Sequence, residues 1–294
     1  MSRGLWKILL PPVDDASRPR RTPRLALGDT DEGPADLLSP DLDLDTVLAS
    51  GDQLARIFES PGTGPVPPGS AVLAPIGAHE VWAAGVTFER SRAARMEEAA
   101  APDHYDLVYE AKRPELFVKA MPGRCRGTGQ AIGIRADSTW DVPEPELAVV
   151  ASASGTPIAY TIGNDVSSRS IEAENPLYLP QAKIYAGSCA LGPCLVPAAA
   201  LPALGDMAVT LTIARAGEAI FSDTVGLAAM RRRPEELLSW LQRAYSVPSG
   251  VVLLTGTSIV PDPQLTLHPG DLVTIAITGL GQLINTVELV GNPS

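Results

Sequence analysis

In the stretch WDVPEPELAVV, two glutamates, Glu144 and Glu146, stand one residue apart ahead of an apolar run. In an extended strand, alternate side chains share a side, so both carboxylates point one way and Pro145, Leu147 and Val149 the other. Like charges that close repel, and burial sharpens the repulsion. A cation removes the conflict. Hard divalent ions take oxygen ligands, and magnesium commonly uses a few carboxylates while leaving positions for water and substrate. A third carboxylate, Asp165, follows 19 residues after Glu146, at the end of the β-like segment PIAYTIG. The competing reading is a pair of solvated glutamates on an edge strand, where Pro145 is tolerated.

Other residues stand near this cluster in function only if the fold gathers them. Glu115 and Lys119 in RPELFVKA share one face of a strand, with Leu116 and Val118 on the other; a salt-bridged strand face is the plain alternative. Thr257 closes LTGT, where the glycine lets the backbone come close and present an N–H and a hydroxyl to a carboxylate. Arg90, Ser91 and Arg95 follow GVTF, within reach of sugar hydroxyls or on a surface helix. Lys183 in LPQAKIYAGS reads alone as a surface charge. Cys189 and Cys194 have no histidine beside them, which argues against thiolate catalysis and for small buried side chains. His79, His104 and His268 do not cluster, so a zinc site is not expected.

The whole chain has 294 residues, 45% hydrophobic and 19% charged, as in globular proteins. A formal net charge of −11 excludes nucleic acid as the main partner. The dense basic run Arg231–Arg233 stops at Pro234 and reads as a solvated helix entry. Three cysteines are too few for a disulfide framework. MSRGLWKILLPPV is too short a stretch for a signal core, and no apolar run reaches the eighteen or so residues of a membrane span. A reducing cytoplasm is the expected compartment.

Residues 60–77, SPGTGPVPPGSAVLAPIG, are dense in proline and glycine and read as a linker, giving a small N-terminal domain over 1–72 and a larger one over 73–294. Leu48, Leu54, Ile57 and Phe58 recur at helical spacing before it. Beyond it the pattern is mainly β. MAVTLTIA alternates, and LVTIAIT, Gly279-Leu280-Gly281 and QLINTVELV outline a hairpin. PEELLSWLQRAYS (234–246) predicts a helix with Pro234 and two glutamates in its first turn and Leu237, Leu238, Leu241 and Tyr245 on one face. RSRAARMEEA (90–99) is a second helix candidate. Strands that outnumber helices without alternating with them favour an α+β class.

The ordered set EPELAVV, GNDVSSR, QAKIYAGSCALGP, LTGT and HPGDLVTIAITGLGQLINTV resembles the fumarylacetoacetate hydrolase superfamily over about residues 75–290. The upstream VWAAGVTFERSRAARMEE and YDLVYEAKRPELFVKA are similar to the branch that contains 2-keto-3-deoxy-D-arabinonate dehydratase. The resemblance implies a mixed β-sandwich roll, and Mg²⁺, with Mn²⁺ or Ca²⁺ as substitutes, held by Glu144, Glu146 and Asp165. It implies Lys183 as base or cationic partner and favours Thr257 as a substrate contact. On the functional reading of their own stretches, Glu115 is a proton donor, Lys119 a cation near the substrate carboxylate, and Ser91 and Arg90 contacts to sugar hydroxyls. Hydrolytic branches carry a His/Glu pair on a lid, for which His104 has no evident partner.

The implied reaction is dehydration of a 2-keto-3-deoxy sugar acid, giving 2,5-dioxopentanoate from a pentonate. In it the metal chelates the 2-oxo acid and acidifies C3, and Lys183 takes the proton. The alternatives are hydrolysis of an acylpyruvate-like diketo acid, decarboxylation of an oxaloacetate-type substrate, and a non-catalytic metal-binding scaffold. A homodimer or homotetramer is implied, with no nucleic-acid or membrane partner.

Overall fold

The computed structural model describes residues 2–12, 22–89 and 110–292. The helix expected at 90–99 lies outside them, as do Arg90, Ser91, Arg95 and His104. Eleven strands form one large sheet. Its path runs Gly64–Pro65, Gly33–Leu37, Arg24–Asp29, Arg3–Leu9, Cys189–Pro197, Pro157–Asp165, Pro145–Ala151, Val251–Thr257, Glu80–Gly85 and Glu115–Ala120. Ala71–Leu73 adds to Arg3–Leu9. A second sheet orders Glu218–Gly226, Ala208–Arg215, Leu272–Ile277, Gly281–Val290 and Ile132–Arg135. Pairing is mostly antiparallel, with one parallel contact in each sheet.

The sequence explains this layering. Pro145–Ala151 is buried along its whole length. Leu147 and Val149 enter one core while Ala148 and Val150 enter another, so the large sheet is packed on both faces. The first core meets the second sheet, through Val209, Leu211, Ile213, Val273 and Ile275. On that sheet's outer face Thr210 and Thr212 pair with Thr224 and Ser222, which is the alternation visible in MAVTLTIA. The other core is covered by the helices Leu44–Leu48 and Gly51–Glu59, through Val47, Leu48, Leu54 and Ile57. Asp43 and Ser50 cap them by accepting from the N–H groups of Thr46 and Gln53.

The proline-rich 60–77 stretch contributes two short strands, Gly64–Pro65 at the sheet's rim and Ala71–Leu73, so it runs along the sheet and does not hang free of it. Strands from the first forty residues join the same sheet through Leu5 opposite Leu195. The predicted 279–281 turn links Leu272–Ile277 to Gly281–Val290 in register. The helix beginning at Pro234 is shorter than its apolar spacing suggests and ends at Leu241. Tyr245 leaves the helical face to donate its hydroxyl to Glu80 and pack edge-on against Trp82.

Candidate metal centre and active site

Glu144 and Glu146 sit at the head of Pro145–Ala151, and Asp165 ends the neighbouring strand, its N–H donating to Glu144 O at 3.0 Å. Ligand oxygens of the three carboxylates lie within 4.8 Å of one another, and all three side chains are buried. Glu146 lies opposite Thr257 across the sheet, and its Oε2 accepts from Gly256 N–H at 2.6 Å. Gly256 is required there. Its φ is +93°, and a Cβ would fall 1.9 Å from Thr87 Oγ1.

Three cations face the three carboxylates. Lys183 Nζ is 2.9 Å from Glu144 Oε2 and 3.5 Å from Asp165 Oδ2, and it donates to Ser167 Oγ at 2.5 Å. Arg169 reaches Glu144 Oε1 at 3.1 Å. Lys119 pairs with Asp165 Oδ1. Burial, followed by the charges of Asp165 and Glu144, pushes the Glu146 carboxyl well above the ordinary carboxylate range, against the pull of Gly256 N–H and Lys183. A divalent cation among these oxygens relieves that crowding. The donor set, three hard carboxylates, suits Mg²⁺. No other group of three or more His, Cys, Asp or Glu side chains has metal-like spacing among the described residues.

Glu144, Glu146, Asp165, Lys183, Glu115 and Thr257 line one cavity. Glu115 leans over Gly85, where a Cβ would lie 1.9 Å from Glu115 Oε2. Phe117 supplies an apolar wall, with the Lys183 ammonium 5.9 Å from its ring centre. Thr257 Oγ1 donates to Ile259 O at 3.1 Å. Lys119 is off the cavity lining. Fully buried behind Asp165, it donates to Val166 O at 2.9 Å and Lys183 O at 2.5 Å.

Two site residues went unremarked in the sequence. Glu172 lines the cavity, and Arg169 grips Glu144 from below. Both lie on the helix Arg169–Glu174, whose N-cap Ser168 accepts from Ile171 N–H. The legible signal was their spacing: three residues apart after a serine cap, Arg169 and Glu172 share a helical face.

The fumarylacetoacetate (FAA) hydrolase C-terminal family model matches residues 81–288. The chain belongs to the fumarylacetoacetate hydrolase family. It is 50% identical over 216 residues, 74% of each chain, to the probable 2-keto-3-deoxyxylonate dehydratase of Haloferax volcanii. It is 45% identical over 221 residues, again 74% of each, to the 2-dehydro-3-deoxy-D-arabinonate dehydratase of Saccharolobus solfataricus. A solved structure, 2-keto-3-deoxy-D-arabinonate dehydratase complexed with magnesium and 2,5-dioxopentanoate, matches with a TM-score of 0.80 and 34% identity, covering 99% of this chain and 100% of that one. The mainly β, mixed-sheet architecture expected from the sequence is therefore the family's fold.

Proposed function

We propose that this chain is a Mg²⁺-dependent dehydratase of a 2-keto-3-deoxypentonate, releasing water and 2,5-dioxopentanoate. The xylonate and arabinonate relatives support one substrate between them. Within the D series those sugar acids differ only at C2 and C3, and the 2-oxo and 3-deoxy groups erase both centres. The observation that carries the reading is the placement of Lys183, bonded to Glu144 and close to Asp165, inside a buried carboxylate cluster.

When bound by Glu144, Glu146 and Asp165, Mg²⁺ would polarise the 2-oxo group and acidify C3. Lys183 Nζ, which first gives up its ammonium proton as the metal replaces it opposite Glu144 and Asp165, takes the C3 proton, and Glu115, protonated, donates to the departing C4 hydroxyl. The departing water is the C4 hydroxyl with the Glu115 proton, and the C3 proton held on Lys183 restores the balance. The 3,4-alkene becomes the C5 aldehyde by loss of one C5 proton and of the C5 hydroxyl proton, balanced by return of one proton to C3 and one to C4 through the dienol and enol. Phe117 forms an apolar wall along this path, and Thr257, on the same cavity lining, is a substrate contact in this proposal. Lys119 and Arg169 hold Asp165 and Glu144. Arg90 and Ser91 remain substrate contacts in this proposal.

Purified protein assayed on 2-keto-3-deoxy-D-arabinonate, an acylpyruvate and oxaloacetate tests it. The expected result is 2,5-dioxopentanoate from the first alone, abolished by EDTA and restored by Mg²⁺. Hydrolysis of the acylpyruvate or decarboxylation of oxaloacetate, with the sugar acid untouched, would overturn it. We also infer a cytoplasmic homodimer or homotetramer, in which exposed apolar side chains such as Leu177 and Leu289 would offer contact surface. Light scattering giving the mass of one 30.8 kDa chain refutes that assembly.

A further inference from the structure

Three cysteines are free, and two of them meet. Cys125 Sγ lies 3.7 Å from Cys189 Sγ, although 64 residues separate them. Backbone bonding fixes this approach. Arg126 N–H donates to Cys189 O and Leu191 N–H to Arg126 O, each at 2.9 Å, forming a short parallel bridge between Arg126 and Ala190. Residues one step back on each segment are opposite each other with side chains on the same side, about 5 Å apart at Cα. Disulfides form at Cα separations of roughly 4.4–6.8 Å, so this pair is within bonding range, and closing it takes side-chain rotation together with a small shift of the two segments. The Cys125 segment is itself anchored, since Asn285 donates to Gly127 O at 2.9 Å and to Gln130 O at 2.8 Å.

The two thiols differ in access. Cys125 is half-buried and Cys189 is 1% exposed. A peroxide therefore reaches Cys125 first. Cys189 is also paired across the sheet with Asp165. We infer that Cys125 and Cys189 are a redox-modification site: a peroxide joins them in a reversible disulfide that disturbs Asp165 and weakens metal binding.

The chemistry balances. Cys125 sulfur attacks the peroxide O–O bond, giving the sulfenic acid and water. Cys189 sulfur then displaces the hydroxyl from Cys125 as a second water, its thiol proton leaving with it. Two thiols and one hydrogen peroxide become one disulfide and two waters, and a dithiol reductant reverses the bond. Closing the Sγ separation from 3.7 Å to about 2 Å pulls on the strand end that faces Asp165. The effect on the metal rests on the proposed role of Asp165, whereas the crosslink does not.

The full-length protein is treated with hydrogen peroxide, and intact mass, a peptide map and Mg²⁺ titration by calorimetry are read with and without dithiothreitol. The expected result is a loss of about 2 Da, a linked peptide pair containing residues 125 and 189, and Mg²⁺ affinity lowered about tenfold and restored by reductant. Cys125→Ser should bind Mg²⁺ as the reduced wild type does and give no crosslink, while Cys194→Ser crosslinks normally. Sulfinic acid at Cys125 with no linked peptide overturns the site, and a crosslink that leaves Mg²⁺ affinity unchanged overturns the switch. If the reduced protein binds no Mg²⁺, the metal assignment has failed and the peptide map still decides the crosslink.

Discussion

Replacing Lys119 by Met keeps most of the length and the apolar stem of the side chain and deletes its charge. The ammonium it removes serves Asp165 Oδ1, Val166 O and Lys183 O in a place with no solvent access. Deleting one partner of a buried ion pair costs about 3–5 kcal/mol, and because Lys183 stays 3.5 Å from Asp165 the loss should sit toward the lower end of that range. At roughly 2–4 °C per kcal/mol for a domain of this size class, the melting temperature should fall by about 10 °C. The damage is directional. Asp165 regains a cationic partner when Mg²⁺ binds, so saturating Mg²⁺ should recover more stability in Lys119→Met than in the wild type. Thermal unfolding in EDTA and in excess Mg²⁺ reads both quantities. A melting temperature within about 2 °C of wild type in EDTA would show that Lys119 is not clamping Asp165. An equal Mg²⁺ increment in both proteins would show that the lost charge and the metal do not act on the same carboxylate.

Glu146→Gln should fold and lose at least about 10²-fold in Mg²⁺ affinity, since one charge about 4 Å away at an effective dielectric near 20 is worth about 4 kcal/mol per unit of ion charge, offset in part by relief of its repulsion with Asp165 and Glu144. Calorimetry checks this, and unchanged affinity removes Glu146 from the metal set. Lys183→Ala should bind pyruvate or oxalate with Mg²⁺ yet turn over about 10²-fold more slowly or worse; a fall in turnover that only tracks ligand affinity makes Lys183 a binding group. His79 is fully buried, and burial lowers its pKa, opposed by Asp45 3.3 Å away. A lowered histidine stabilises the fold fully above its unfolded pKa near 6.5 and progressively less as pH falls through the folded value. Stability should therefore drop below about pH 6.5, less steeply in His79→Asn, and parallel pH curves for the two proteins would refute it.

The sequence exposed the fold best where one face of a strand meets water. Ala208–Arg215 and Leu272–Ile277 alternate because threonines and small alanines take most of their outer positions while branched apolar residues take the inner ones. Val251–Thr257 and Cys189–Pro197 lie between two cores, so their residues carry no alternation to read. Within the site, the spaced like charges of Glu144 and Glu146 raised the question of a cation, but Asp165, 19 residues on, was joined to them only by the order of the family-like motifs. Spacing placed Glu115 and Lys119 on one strand face but said nothing of depth, and depth separates a cavity wall from a side chain sealed behind Asp165. The end of the 234–241 helix was misjudged because Tyr245 fits the apolar period yet is drawn away by Glu80.

The charge balance of the carboxylate cluster bears on how the protein survives without its ion. Structural zinc domains lose their fold with the metal because nothing else neutralises the ligands. Here Lys183, Arg169 and Lys119 already hold Glu144 and Asp165 in place. Chelation should then silence the enzyme without sending it toward aggregation or proteolysis. A cell short of magnesium would keep an intact, dormant pool that regains activity on the timescale of ion binding, with no new synthesis or refolding.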